Sequence, residues 1–266
     1  MDAYDPEYDF FPCINILGIG ATGANALNYF GEVADKLFPA RLIISDKDAD
    51  LRAQISDFII DETIWLFVIT DVEDLELAAQ VAKIIEDSKL LMTFLILCPS
   101  AADARLADIP ADFGTWIILP EDKIAKCGLT KNAAIYRAVN MATSIMKIDN
   151  IIGMDFADVV GTIGNRGRAC IGFGESLDAE NNSLQAVKNA LKSPLFIEEI
   201  GKAKKAVLFF IGNYEFLSML EMNEAATFLY DKLRQSEDIY VLWQVDADES
   251  AADGVAAFVL ATGFEK

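Results

Sequence analysis

The sequence predicts an α/β protein: a parallel, doubly wound sheet joined by one long central helix to a smaller, mixed α+β domain. Three observations carry that expectation. Short continuous apolar runs recur up to Leu119, the pattern of strands buried on both faces. Helical runs separate them, which is the order that builds a parallel sheet. Asn132 to Ile148 (NAAIYRAVNMATSIMKI) then reads as one long helix, after which strands and helices mix differently. The expected division is 1–131, a central helix over 132–149, and 150–266.

Each element has its own signal. Cys13 to Gly20 (CINILGIG) is an apolar strand running into glycines, followed by a helical run from Asn25 to Leu37. Arg41 to Ser45 is a second strand, ending in Asp46-Lys47-Asp48. Ile64 to Thr70 (IWLFVIT) is a third, and Leu75 to Asp87 has apolar residues at helical spacing. Leu90 to Cys98 and Thr115 to Leu119 complete the first sheet. In the second half, Asp158 to Gly164, Ser183 to Leu191 and Asn223 to Arg234 read as helices. Arg168 to Phe173, Ala206 to Ile211, Ile239 to Val245 and Val255 to Ala261 read as strands. The aromatic and methionine side chains there (Phe209, Phe210, Phe216, Met219, Met222, Phe228, Trp243) are expected in the core and not around a cofactor.

Composition narrows the function. The 266 residues carry 42 acidic and 22 basic side chains, a net charge of −20. Such a surface repels nucleic acid and anionic lipid, so neither is an expected partner. Acidity serves solubility, or attracts divalent cations or a basic partner surface. No apolar stretch approaches the roughly 20 residues of a membrane helix, and the start MDAYDPEYDF lacks the basic region of a signal peptide. The four cysteines form no C-x-x-C pair and the chain has no histidine, so reduced thiols in a cytoplasmic protein are expected and a zinc site is not.

Gly18-Ile19-Gly20-Ala21-Thr22-Gly23 fits G-x-G-x-x-G between a strand and a helix. Glycines there allow a tight turn, and free N–H groups at a helix start attract phosphate. An acidic residue after the second strand, Asp46 or Asp48, falls where a Rossmann fold grips a ribose. The motif alone fits a dinucleotide-binding enzyme. It also fits a turn in which the glycines serve packing only.

Residues beyond the motif resemble another family. Gly18 to Phe30 (GIGATGANALNYF) is similar to the FtsZ phosphate loop G-V-G-G-G-G-G-N-A-V-N-R-M, without a gap. Asp46 to Asp50 (DKDAD) resembles N-T-D-A-Q, and Pro99 to Arg105 (PSAADAR) is a fainter match to P-F-x-F-E-G. Asp155 to Val159 is the D-F-A-D-V of the FtsZ loop that enters a neighbouring subunit's nucleotide site. Arg168 to Gly174, Ser193 to Leu195 and Val259 to Phe264 resemble Y-A-M-M-G-S-G, S-S-P-L-L and V-V-A-T-G-I. The motifs keep their order from Ile14 to Phe264. The resemblance to the FtsZ/tubulin family implies a Rossmann-like GTPase-type domain and the FtsZ-like C-terminal domain. It implies GTP or GDP with Mg²⁺ as cofactor, contacted by Gly20, Ala21, Thr22, Gly23, Asn25, Asp48 and Asp103. It also implies Asp155 and Asp158 as catalytic carboxylates acting on an adjacent subunit, either a copy of itself or a related FtsZ-type filament subunit. Asp155 and Asp158 serve equally well as helix caps.

The departures from the family bear on activity. Where FtsZ has G-G-G-T-G-T-G after the third strand, this chain reads Thr70-Asp71-Val72-Glu73-Asp74-Leu75-Glu76. Two like charges about 4 Å apart repel by roughly 4 kcal/mol at an effective dielectric near 20, so a bound triphosphate is disfavoured unless Mg²⁺ bridges Asp71 and Asp74. Thr70 and Glu73 have capping-box spacing, so the following helix is expected to satisfy its own first N–H groups. The family's A-G-A-N-P stretch is absent, Ala133 and Asn132 stand at the guanine-reading position, and Gly153 replaces an asparagine. The chain also stops near Lys266, short of the family's adaptor-recruiting tail, so direct membrane recruitment is not expected. These features imply an FtsZ-like cytoskeletal or filament-interacting protein with weak or lost GTP binding and hydrolysis. A divergent GTPase with a metal-bridged acidic loop is the alternative, and a dinucleotide-binding enzyme stands behind both.

Overall fold

The computed structural model describes residues 13–34, 40–45, 50–60, 63–100, 109, 113–144, 155–164, 166–177, 182–213, 216–233, 240–247 and 254–264. In chain order the first half contains β1 (Cys13–Ile19), α1 (Gly20–Ala34), β2 (Arg41–Ile44), α2 (Leu51–Phe58), β3 (Thr63–Thr70), α3 (Leu75–Ile85), β4 (Met92–Leu97), β5 (Thr115–Ile118) and α4 (Glu121–Lys126). A 3-10 turn, Val72–Asp74, links β3 to α3. The second half contains α5 (Lys131–Ser144), α6 (Phe156–Ile163), β6 (Gly167–Ser176), α7 (Asn182–Leu191), β7 (Lys205–Gly212), α8 (Met219–Lys232), β8 (Tyr240–Ala247) and β9 (Val255–Thr262).

The strands form one nine-stranded sheet in the order β2-β1-β3-β4-β5-β6-β9-β7-β8. From β2 to β6 all pairs are parallel. β9 runs antiparallel to β6 and to β7, and β8 is parallel to β7. The expected α/β class with a largely parallel sheet is what the chain adopts. The strand order reverses between β1 and β3, which makes the crevice beyond their C-terminal ends a topological switch point, the usual ligand position in such sheets.

Side-chain alternation divides the core between the two faces. On β3, Trp65, Phe67 and Ile69 pack under α1 and α5, while Leu66 and Val68 pack under α3. Trp65 stacks on Phe67 with ring centroids 4.8 Å apart, and both meet Phe94 of β4 at 5.3 Å. The layer under α1 and α5 continues into the second half through Ile171, Phe209 and Phe258. The opposite face there is covered by α7 and α8 over Cys170, Phe210 and Val259. Met222 is buried and Phe216 and Phe228 pack at the edge of that cluster. Met219 departs from the core expectation, with 55% of its surface exposed; it opens α8 right after the N-cap Ser218.

Two helices had no apolar signal. α2 buries only Ile55 and starts from Asp50, whose carboxylate accepts from the Ala53 N–H at 3.2 Å. α4 buries only Ile124. The long helix is described as far as Ser144, and residues 145–150 lie outside the described residues. No helix among the described residues is long and apolar enough to cross a membrane.

Candidate functional site

The switch-point crevice lies between the turn after β1 and the turn after β3. α1 begins directly at Gly20, so Ala21, Thr22 and Gly23 form its first turn and there is no separate loop. Gly20 has φ of +65°, a conformation that only glycine adopts cheaply. Gly18 and Gly23 have another role. A Cβ on Gly23 would sit 2.7 Å from the Ile69 carbonyl oxygen, and one on Gly18 would sit 2.7 Å from the Gly23 backbone. These two glycines let the strand and helix backbones touch, so packing accounts for them.

The acidic turn folds onto this helix start. A Cβ on Gly20 would lie 2.7 Å from the Asp74 carboxyl carbon, and closer still to its oxygen. The Asp74 carboxylate therefore rests directly on the Gly20 backbone. Asp71 Oδ1 accepts from the Val72 N–H at 2.8 Å and caps the 3-10 turn. Its other oxygen, Oδ2, accepts from the Thr22 hydroxyl at 3.0 Å and from Lys131 Nζ at 3.3 Å. Lys131 also pairs with Glu121. Both carboxylates thus stand at the positive end of the α1 macrodipole, whose own first turn has no acidic residue; such placement is worth about 0.3–1 kcal/mol.

The capping-box expectation is corrected. Thr70 is fully buried at the end of β3 and its hydroxyl donates to the Asp71 carbonyl at 3.3 Å. Asp71, not a Thr70–Glu73 pair, supplies the side-chain cap, and Asp74 at the start of α3 makes no capping bond. Asp74 is engaged with Gly20 instead.

Lys131 is the residue that sequence reasoning missed. Burial pulls its pKa down, but its bonds and charge pairing with Glu121 and Asp71 outweigh that and hold it above the ordinary lysine value. Cys98 lies close by at the end of β4. Burial pushes its thiol far up, opposed by the Lys131 charge. A signal for Lys131 was present: a cation in the first turn of α5 opposes that helix's dipole and calls for acidic partners.

Among the other expected contacts, Asn25 is exposed on the second turn of α1, and Asn132 and Ala133 sit half-buried in the first turn of α5. α1 and α5 pack directly, with Tyr136 edge-on to Tyr29 at 6.0 Å and to Phe30 at 5.3 Å. Asp46, Asp48, Asp103 and Gly153 lie outside the described residues. Asp71 and Asp74, named as a metal pair, converge on the same turn, but no group of three or more acidic, cysteine or histidine side chains suited to a metal occurs among the described residues.

Asp155 and Asp158 are at the other end of the sheet. Asp155 N-caps α6, its Oδ1 accepting from the Ala157 N–H at 2.7 Å, and Asp158 is exposed in the first turn. The far end of α6 is tied to the starts of the parallel strands: Thr115 Oγ1 donates to the Ile163 carbonyl at 2.6 Å, and Gly164 packs on Met92. The Lys131 end and the α6 end are therefore opposite faces, and the 14 residues of α5, about 21 Å of helix, descend between them. A cleft of about 390 Å³ opens between α5 and β6, walled by Cys127, Phe173, Lys192 and Arg137. The Arg137 guanidinium lies 4.8 Å above the Phe173 ring and bonds Glu175 at 3.3 Å.

Comparison with known proteins agrees with this architecture. The description "FtsZ family, C-terminal domain" matches residues 167–265. Cell division protein FtsZ 2 of Thermococcus kodakarensis is 36% identical over 158 residues, 56% of this chain and 37% of that protein. Cell division protein FtsZ of Haloferax mediterranei is 25% identical over 206 residues, 71% of this chain and 54% of that protein. The chain thus spans about a third to a half of these relatives. Among solved structures, an empty FtsZ dimer from M. jannaschii superposes with a TM-score of 0.76 at 20% identity, covering 94% of this chain and 88% of the other. CetZ2 from Haloferax volcanii, a GTPγS-bound protofilament, gives 0.73 at 14% identity, covering 95% and 94%. At those identities the structures speak for the fold alone, and the sequence matches show a chain similar to FtsZ proteins, with the FtsZ C-terminal domain matched over residues 167–265.

Proposed function

We propose that this chain is an atypical, cytoplasmic FtsZ-like cytoskeletal protein with weak or lost GTP binding and hydrolysis. It acts through end-to-end contact with itself or with a related FtsZ-type subunit, not through nucleic acid or direct membrane binding. The observation that carries this reading is the Asp74 carboxylate lying on the Gly20 backbone at the start of α1. A phosphate approaching those amides would meet a fixed negative charge, with Asp71 beside it on Thr22. As arranged, the residues do not fit GTP at this turn. Lys131 supports the same reading, because it already pairs with Asp71, one of the two carboxylates that a Mg²⁺ bridge would join. The division into a GTPase-type part over 1–131, a helix over 132–149 and an FtsZ-like part over 150–266 belongs to this proposal.

At the opposite end, Asp155 and Asp158 are exposed and ordered by α6, so this face can be offered to a subunit that carries its own nucleotide. Head-to-tail contact of unlike faces is the geometry of filaments. A net charge of −20 adds repulsion between identical copies, screened over about 10 Å at 0.1 M salt, and favours a cap on another filament over self-assembly. Calorimetry with GTP and Mg²⁺ is expected to give a dissociation constant weaker than about 100 μM; micromolar binding would refute the loss of the pocket. Light scattering of an FtsZ polymer with and without the protein tests the contact. Polymer length that ignores both the wild type and the Asp155→Ala, Asp158→Ala pair would defeat it.

A further inference from the structure

We infer that the Asp71 carboxylate is a built-in substitute for a phosphate oxygen, and that it autoinhibits the turn by occupying donors that would otherwise bind an oxyanion. The inference rests on the proposed loss of the nucleotide pocket and deepens it by naming what fills that pocket.

The geometry is specific to one atom. Asp71 Oδ2 receives a hydroxyl from the first turn of α1, Thr22 at 3.0 Å, and an ammonium from the first turn of α5, Lys131 at 3.3 Å. Two donors from two helix starts, brought together across the switch-point crevice, form the donor set that an anionic oxygen requires. The other carboxylate oxygen is held by the Val72 N–H at 2.8 Å, which fixes Asp71 in that position. Asp74 completes the closure over Gly20. The side chain of Asp71 is 21% exposed and that of Lys131 30%, so solvent reaches the contact and it is not a deeply buried pair. Glu121 also pairs with Lys131 and is expected to keep that pair when Asp71 is removed, lowering the affinity of the uncovered site without closing it.

The test uses the full chain with sodium pyrophosphate as the probe, without divalent metal, read by thermal shift and calorimetry. The wild type is expected to show no shift. Asp71→Ala is expected to gain a pyrophosphate-dependent rise of about 3 °C or more at saturating probe, and Asp71→Ala with Asp74→Ala a larger one. Adding Lys131→Met to either variant should abolish the gain. Asp71→Ser serves where the alanine variant unfolds, because its hydroxyl keeps a cap for the Val72 N–H while removing the charge. A folded double variant with no gain overturns the inference, as does a gain that survives Lys131→Met, and so does a wild type that responds as strongly as the variants. These outcomes are separable from the GTP titration. If wild type ignores GTP and the opened variants ignore pyrophosphate, the proposed function stands and the autoinhibitory contact falls.

Discussion

The two ends of the sheet use the same residue type in opposite ways. At the switch-point end, Asp71 and Asp74 are turned inward, one onto Thr22 and Lys131, the other onto Gly20. At the opposite end, Asp155 uses one oxygen to cap α6 while Asp158 faces solvent unencumbered by any cap. Identical carboxylates are thus structural at one face and presented at the other. The difference lies in the backbone around them. The first pair sits in a turn held against a helix start, and the second on the exposed turn of a short amphipathic helix. A carboxylate's role is set by which donors the fold brings within hydrogen-bond reach, not by its place in a motif.

That contrast can be broken most forcefully at Gly20. Gly20→Ala must adopt a left-handed backbone and displace the Asp74 carboxylate, so a loss of about 2–4 kcal/mol is expected by chemical denaturation. Asp74→Ala in the same chain should recover part of it, and no recovery would mean that Asp74 is not pressed on the turn. Lys131→Met comes next. It leaves Asp71 and Glu121 without their shared cation, at a cost of about 1 kcal/mol because the group is partly exposed and solvent-screened. The sign with pH is fixed: a lysine whose folded pKa is raised stabilises the protein fully below its ordinary value near 10.4, and that stabilisation is lost as pH rises through the folded value. Melting curves from about pH 9 to 11.5 should therefore converge for wild type and Lys131→Met.

At the other face, Asp155→Ala should cost about 1 kcal/mol for the lost cap, whereas Asp158→Ala should stay within about 0.5 kcal/mol. Equal costs would erase the distinction between the two residues. The smallest expected effect is on thiol chemistry. Burial pushes Cys170 up to about 12 and Cys98 further, so both should resist a thiol reagent at pH 8 in the native state. Half-buried Cys13 and Cys127 should react first, as mass spectrometry of partly labelled protein would show.

Much of the fold was legible because nearly every strand is a continuous apolar run, and such runs are unambiguous when helices separate them. α2 and α4 were not, since each buries a single side chain, Ile55 or Ile124, and is set by its flanks: an Asp50 cap for one and acidic first-turn residues for the other. The candidate site was half legible. The acidic turn stood out against the family's glycines, and the crowding of Asp71 and Asp74 near the glycine turn followed from it. Lys131 did not, because it lies far along the chain and meets Asp71 only through the packing of α5 beside α1, and Glu121 enters through Lys131. The capping-box reading of Thr70 and Glu73 failed for a related reason. Local spacing proposed one bond, but Thr70 is buried at the end of β3 and turns its hydroxyl to the Asp71 carbonyl, which leaves Asp71 to cap the turn.

The strand order has a consequence for how the protein is made. β9, near the C-terminal end of the chain described here, lies between β6 and β7, pairing with β6 from Ala169 to Ser176 and with β7 from Lys205 to Gly212. Until β9 emerges from the ribosome, the strands on either side of it are unjoined and each presents a bare edge. At about 5–20 residues per second, the stretch between Ser176 and Val255 keeps that gap open for roughly 4–16 s of synthesis. Phe209 and Phe210, made partway through it, wait roughly 2–9 s without Phe258 and Val259 to cover them. The nascent chain is therefore most exposed to aggregation and most in need of a chaperone just before β9 joins β6 to β7.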